Sequence, residues 1–473
     1  MQEQVNSEGL HRGLQERHIQ LIAIGGAIGV GLFLGSASAI KTAGPAITLS
    51  YIIGGLMIFM VMRALGELAV SYPVSGSFSA YAHTFFGPLA GYLTGWTYWF
   101  MWVVTCMAEI TAVGVYVNYW LPDIPQWIPA LCALVAMTLI NLISVKYFGE
   151  FEFWFALIKV VTIIAMILIG LGIILFGIGN GGVALGFSNL WANGGFFANG
   201  LSGVFLAMVM VAFAFLGVEL IGVTAGEAQN PEKTIPSAIN KVLWRILIFY
   251  VGALVVIMSI FPWNQIGTTG SPFVLTFAKI GIPAAAGIIN FVVLTAALSS
   301  CNSGLFSTGR MLYDLSLKKN APAFLSNLSK NKVPYIAILV SSAFMLIGVV
   351  LNYLAPAKVF IYITSVATIG AVFIWSMILL VQIKFRRGLS KEEVEKLSYK
   401  TPLWPYASWA ALAGLLTILV LMAFDEGTRV ALYVGPVWFG GVLASYYAFG
   451  FNRTVPEDKN NKKVQKSETA SEY

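Results

Sequence analysis

The sequence predicts an all-α integral membrane protein with about twelve transmembrane helices, and three observations predict it. Hydrophobic residues make up 58% of the 473-residue chain and charged residues only 10%, where a soluble domain carries about 25% charged residues. The hydrophobic residues fall in runs of about 20, the length a helix needs to cross the hydrocarbon core. The alternating ten-residue segments of an outer-membrane barrel are not present in the pattern. Lysine and arginine, finally, concentrate on alternate turns between these runs.

Taken in order, the runs place spans at 18–40, 45–70, 87–120, 126–144, 151–176, 202–225, 239–261, 283–312, 334–353, 359–382, 405–424 and 430–449. A polar turn is expected at 71–84, a nearly uncharged loop at 177–200 and another external segment at 262–282. The first 17 residues are polar and of mixed charge, and the first apolar run is too long for the core of a cleavable signal. With the N-terminus inside, cytoplasmic turns should carry the positive charge. All 28 lysines and arginines obey this except Lys41, Lys279, Lys358 and Arg429 on the external side and Lys159 within a span. The formal charge of +7 therefore describes a cytoplasmic face, with both termini inside, and not a nucleic-acid surface. Between 384 and 401, Ser390-Lys391-Glu392-Glu393 predicts the start of a short cytoplasmic helix. The tail beyond Asn452 is polar enough to be disordered. No independent soluble domain is expected.

The first span carries an anomaly. Gly25, Gly26, Gly29, Gly31 and Gly35 crowd its middle, although each glycine costs roughly 1 kcal/mol in a helix interior. The sixth span repeats the feature in Phe213-Ala214-Phe215-Leu216-Gly217-Val218-Glu219, followed by Gly222 and Gly226. If spans one to five and six to ten are two repeats, these clusters are equivalents, and broken helices at matching positions point to a transporter site. The alternative is that the glycines only allow close helix packing. A broken helix offers free N–H groups and a positive dipole end to a carboxylate, and free carbonyls to an ammonium. One such site accepts both backbone charges of an amino acid.

Three charges are embedded in spans: Lys159 in the fifth, Glu109 in the third and Glu219 in the sixth. A lysine at a helix centre costs roughly 3 kcal/mol to insert, which makes it a functional candidate; the alternative is that it snorkels to the interface. Glu109 and Glu219 are candidates for carrying a proton, for meeting a substrate ammonium, or for neutral packing. Glu67 and Glu227, near span ends, are expected to cap or to pair with Arg63 or Lys233. Cys106, Cys132 and Cys301 fall far apart in apolar runs and read as small buried hydrophobes. Trp96, Tyr98, Trp99, Trp102, Tyr119, Trp120 and Trp127 read as interfacial anchors or packing. His11, His18 and His83 are too scattered for a metal site, and no cofactor is expected. No GxxxxGK[ST] loop supports ATP use, and no nucleophile–base pair suggests an enzyme.

Together these segments resemble the amino acid–polyamine–organocation superfamily, and within it the bacterial amino acid transporter family. The run from Gly25 to Gly35 resembles its first-span motif, and Arg63-Ala64-Leu65-Gly66-Glu67-Leu68 with Tyr72-Pro73-Val74-Ser75-Gly76 its second. Phe213 to Glu219 resembles its sixth-span motif, and Glu227 to Pro236 the following loop. The likeness continues through Gly270-Ser271-Pro272-Phe273, Ser299-Ser300-Cys301-Asn302-Ser303 and Arg310-Met311-Leu312.

The resemblance implies the LeuT-type fold, two inverted five-span repeats plus two further spans. That divides the chain into a tail at 1–17, repeats at 18–182 and 202–383, spans eleven and twelve at 404–450 and a tail at 451–473. It implies a substrate site at Ala27, Ile28, Gly29, Val30 and Gly31 facing Phe213, Ala214, Phe215, Leu216 and Gly217. Phe215 would be the gate, with Phe213 and Leu216 shaping the side-chain pocket. Lys159 would stand where sodium-driven relatives bind a cation, as a proton-responsive latch between spans one, five and eight, with Ser299, Ser300 and Asn302 as oxygen partners. The expected activity is proton-coupled import of an amino acid across the bacterial cytoplasmic membrane. A neutral substrate of the proline, alanine, serine, threonine or histidine class is expected, since an unpaired buried charge is costly. An exchanger needs the same site without net proton movement; a channel or a membrane-bound sensor are the further alternatives. The partners are thus an amino acid, a proton and the lipid bilayer.

Overall fold

The structure is a computed structural model and describes residues 28–72, 77–143, 145–224, 231–267, 270–279, 283–356 and 358–451. Among them regular structure is entirely helical. Nine helical stretches are long and apolar enough to cross a membrane, and the shorter apolar helices Trp127–Ile143 and Gly200–Ala214 accompany them. The stretch Gly35–Ser71 turns at Gly44–Ala46, which separates the second half of span one from span two, Ile47–Ser71. The remaining spans are Pro88–Val117, Trp127–Ile143, Val145–Phe176, the divided sixth span between Gly200 and Thr224, and Pro231 through Ile260. Pro283–Leu317, Tyr335–Leu354, Val359–Arg387, Tyr406–Leu421 and Glu426–Ala448 complete the twelve. Proline opens several of them (Pro88, Pro231, Pro283), at the one helical position where its missing N–H is not needed.

Span three is the axis. It is buried nearly all round, with Tyr98, Met101, Trp102 and Ala108 at most 1% exposed, as expected of a helix apolar on every face. Spans eight and ten pack along its length. In hydrocarbon, packing and interhelical hydrogen bonds must replace the hydrophobic effect. Asn352 Nδ2 donates to Thr111 Oγ1 at 2.7 Å, Asn290 Nδ2 to the Tyr116 carbonyl at 2.8 Å and Trp99 Nε1 to Ser341 Oγ at 2.9 Å. All three bonds end on the third span or begin there.

The turns segregate to two faces. On one, Arg63 of span two donates to Asn240 Oδ1 of span seven at 2.9 Å and to the Lys400 carbonyl, with its guanidinium over the Tyr399 ring. On the other, Asn199 Nδ2 donates to the carbonyls of Lys41 and Thr42, and Trp263 Nε1 to that of Asn193. This alternation is the one the lysine and arginine pattern requires. The short helix after Ser390 forms as expected, Lys391–Lys396, with a complete capping box between Ser390 and Glu393.

Several expectations are corrected. Residues 71–84 are no plain turn: Ser77–Phe86 is a helix, whose Phe78, Tyr81 and Ala82 are buried. Their spacing of three and four residues is helical, but interleaved Ser, Thr and His residues give the segment a polar average. The external segments also fold locally, into Asn189–Ala192 and Pro272–Lys279. Glu67 does not pair with Arg63; it accepts from Arg386 Nη1 at 3.5 Å, Gln382 Nε2 at 3.2 Å and the Thr401 backbone N–H at 2.5 Å. Four residues apart, the two side chains share a face of span two, but Arg63 reaches toward span seven and Glu67 toward span ten. Cys132 is exposed, and Cys106 and Cys301 meet where spans three and eight cross, Cys106 Sγ donating to the Cys301 carbonyl at 3.6 Å. Tyr119 and Trp120 are exposed at the end of span three, whereas Tyr98, Trp99 and Trp102 are packing. Glu227, His11, His18 and the C-terminal tail lie outside the described residues.

Candidate functional site

Span six is interrupted where the sequence placed the interruption. Helix Met208–Ala214 stops, and regular helix resumes at Leu220–Thr224. Between them the backbone closes tight three-residue turns, with Phe215 N donating to Ala212 O at 3.1 Å, Leu216 N to Phe213 O at 3.0 Å and Leu220 N to Gly217 O at 3.2 Å. Gly217 has φ +98°, a value that costs any residue with a Cβ. Its N–H donates to the Glu219 carboxylate at 3.2 Å, and Trp375 Nε1 reaches the same carboxylate at 3.4 Å. Glu219 thus stabilises the interruption from within. The carbonyl of Ala214, at the end of the first half, accepts from Tyr250 Oη at 3.1 Å. Tyr250 lies in a π-turn of span seven, Ile246–Gly252; such turns shift a side chain out of the regular helical register.

Span one presents a matching start. Ile28 and Gly29 are non-helical, Gly29 is extended, and helix begins at Val30. The two spans touch here: a Cβ on Gly31 would sit 2.5 Å from Ala214 Cα, so only glycine allows this approach. A closed cavity lies at the junction, lined by Gly29 and Gly31 from span one and Phe213, Ala214 and Leu216 from span six. Glu109 and Thr105 from span three and Ser300 from span eight supply its polar wall. The free space is about 10 Å³, room for roughly one water. Glu109 is 2% exposed, its Oε2 makes no hydrogen bond, and a Cβ on Gly29 would lie 2.7 Å from Oε1.

Lys159 is wholly buried and its ammonium donates to the Ile28 carbonyl at 3.2 Å, at the last non-helical residues of span one. It sits in the field of two carboxylates, Glu109 and Glu152. Ser299 Oγ donates to Glu152 at 2.7 Å, Ser300 lies beside Glu109, and Asn302 Oδ1 accepts from Asn141 Nδ2 at 2.8 Å. Successive residues point about 100° apart on a helix, which sends Ser299 and Ser300 to different carboxylates flanking the lysine.

Seven of the sixteen residues singled out from sequence thus converge: Gly29, Gly31, Glu109, Phe213, Ala214, Leu216 and Ser300 share one cavity. Ile28 joins through its carbonyl, and Val30 through its backbone beside Glu109. Phe215 does not line this cavity. Its ring is buried against Tyr51 and Tyr250, with centroids 5.8 and 5.1 Å away. Ala27 lies outside the described residues. Sequence reading did not single out Glu152, Tyr250, Trp375 or Thr105. Glu152 stood at the edge of the expected span in a polar triplet with Glu150, but the helix begins at Val145, which draws it inside.

A helical membrane protein in which an interrupted helix meets the non-helical start of another across a small polar cavity has the architecture of a secondary transporter. The chain belongs to the amino acid permease family, whose profile, described as "Amino acid permease", matches residues 18–460. It is 61% identical over 450 residues to "Uncharacterized amino acid permease YtnA" of Bacillus subtilis (strain 168), covering 95% of this chain and 97% of that protein. It is 51% identical over 466 residues to "Probable threonine/serine transporter YbxG" of the same organism, covering 98% and 99%. It is 46% identical over 438 residues to "Aromatic amino acid transport protein AroP" of Shigella flexneri, covering 93% and 95%. Among solved structures, that of MhsT in complex with L-phenylalanine superposes with a TM-score of 0.61 at 15% identity, over 87% of this chain and 98% of that one. At that identity the likeness is one of fold, and the fold is the LeuT type.

Proposed function

We propose that this permease imports a neutral α-amino acid together with a proton across a bacterial cytoplasmic membrane, with both termini inside. The observation that carries the proposal is the junction of the interrupted sixth span with the helix start at Val30 of span one. Backbone ends meet there beside a cavity whose one charged wall among the described residues, Glu109, lies in the field of Lys159. The start of helix at Val30 suits the substrate carboxylate. The carbonyl at the end of the first half of span six, and Glu109, suit its ammonium. With Glu109 facing Lys159, the described residues leave no further charge in the cavity to balance an ionic side chain, which favours a neutral substrate. The printed names of two relatives, threonine/serine and aromatic, agree with a neutral substrate, here within the proline, alanine, serine, threonine and histidine class.

Lys159 supplies the coupling. Its ammonium holds the Ile28 carbonyl and so ties span five to span one; loss of the proton removes the positive charge that holds this contact. Spans one, two, six and seven would then rock against the rest of the two repeats, 18–182 and 202–383. Moving one charge inward yields roughly 2.3 kcal/mol per 100 mV, enough for about a 50-fold gradient at 1.4 kcal/mol per tenfold.

Proteoliposomes test this. An inward proton gradient should drive accumulation of one labelled neutral amino acid, and a panel of all twenty should show competition by small neutral members only. Accumulation indifferent to collapse of the gradient contradicts proton coupling. Competition by lysine or glutamate contradicts the substrate class.

A further inference from the structure

Glu152 flanks Lys159 but does not line the cavity, and it is the more completely buried of the two carboxylates beside the lysine. It is 0% exposed and lies seven residues before Lys159 on the same helix, two turns and about 10 Å away along the axis. Val145, where the helix begins, lies another seven residues back. Glu152 is thus midway between Lys159 and the end of the span that carries Lys146, the end assigned to the cytoplasm by its positive charge. A buried carboxylate needs partners, and span eight supplies them. Ser299 Oγ donates to Oε1 at 2.7 Å, and Ser303 and Asn302 stand beside the carboxylate. Among the described residues Glu152 Oε2, Ser303 Oγ and Asn302 Nδ2 make no hydrogen bond. Two hydroxyls and an amide thus surround the carboxylate within reach of it, and such groups can hold a carboxyl in either charge state.

We infer that Glu152 takes the proton from Lys159 and passes it toward the cytoplasmic end of span five. This rests on the proton-coupled reading above. In the step, an N–H bond of the Lys159 ammonium breaks, its electron pair stays on Nζ, and an O–H bond forms on the Glu152 carboxylate. A plus–minus pair becomes a neutral pair, so the proton moves without leaving an uncompensated charge on either partner in the low-dielectric interior. Ser299 follows the change by rotation, because a hydroxyl donates to a carboxylate and accepts from a carboxylic acid equally well. Glu109 faces the lysine from span three, on the cavity side, and would return a proton to it only in the next cycle, after span one has been released. Asn141 of span four, bonded to Asn302, closes the pocket without a titratable group. Loss of the proton leaves Lys159 neutral, weakens its hold on the Ile28 carbonyl and releases span one for inward opening.

The test uses full-length protein in proteoliposomes, a labelled equimolar mixture of alanine, serine, threonine, proline and histidine as probe, and an internal pH dye. The readout is the ratio of amino-acid-induced proton influx to counterflow, which exchanges substrate without net proton movement. Glu152→Gln should lower this ratio at least tenfold, and Glu152→Asp should restore much of it. An unchanged ratio in Glu152→Gln overturns the inference, and so does an equal loss of influx and counterflow in both variants, which marks a merely structural residue. Should Glu152→Gln fail to fold, Ser299→Ala takes its place, with a several-fold lower ratio expected and an unchanged ratio contradicting the inference. Wild-type protein that takes up the probe with no proton influx defeats the proton-coupled reading itself. Wild-type influx with a normal Glu152→Gln defeats only the role of Glu152.

Discussion

At the scale of the residue, Gly31 decides how closely spans one and six meet. Its missing Cβ would lie against Ala214 backbone, which cannot rotate away as a side chain could. Gly31→Ala should cost about 1–3 kcal/mol in overpacking and lower uptake at least tenfold, checked by initial rates at matched membrane expression. Tyr250→Phe makes a different cut. It leaves the buried Ala214 carbonyl without its described donor, a loss of about 1–3 kcal/mol, and should weaken substrate binding by about tenfold or more in an equilibrium binding assay. The glycine was legible in the sequence because five glycines in one apolar run have few other uses. The tyrosine was not, since its position depends on a π-turn that no residue type announces. Glu152 was misplaced for a related reason: a polar triplet reads as a span end, and only the helix running back to Val145 shows it to be interior.

At the scale of the element, span six is a helix that its own sequence interrupts. Gly217 supplies the positive φ, and Glu219 receives the freed N–H two residues back. Gly217→Ala forces a side chain into the left-handed region, at roughly 1–2 kcal/mol, and should reduce transport while leaving the helical circular dichroism unchanged. The helix Lys391–Lys396 provides a contrast. Ser390→Ala removes the capping box and should cost about 1 kcal/mol locally with no change in uptake, because that helix touches no part of the cavity. Both elements were legible, one from glycine in an apolar run and one from a capping box. The helix Ser77–Phe86 was not, because its buried Phe78, Tyr81 and Ala82 are diluted by polar neighbours into the average of a turn.

At the scale of the whole molecule, the alternation of positive charge predicted which turns share a face, and the contacts of Arg63, Asn240 and Lys400 on one side and Lys41, Asn199 and Trp263 on the other follow it. Glu67 is the fixed point of the first face, joining spans two and ten to the loop before span eleven. Arg386→Ala strands that buried carboxylate. Removing one partner of a buried pair costs about 3–5 kcal/mol, so the unfolding temperature should fall, and by the same amount at low and high salt because buried pairs are little screened. The identity of the substrate was not legible at any scale, since the groups proposed to meet it are backbone N–H and C=O groups that suit any α-amino acid alike. The central claim is that an amino acid bound between spans one and six moves with a proton held by Lys159. The most direct measurement is the proton influx accompanying amino-acid uptake in proteoliposomes, wild type against Lys159→Ala. The account predicts influx in step with uptake for wild type and none above background for the variant; equal influx in both would contradict it.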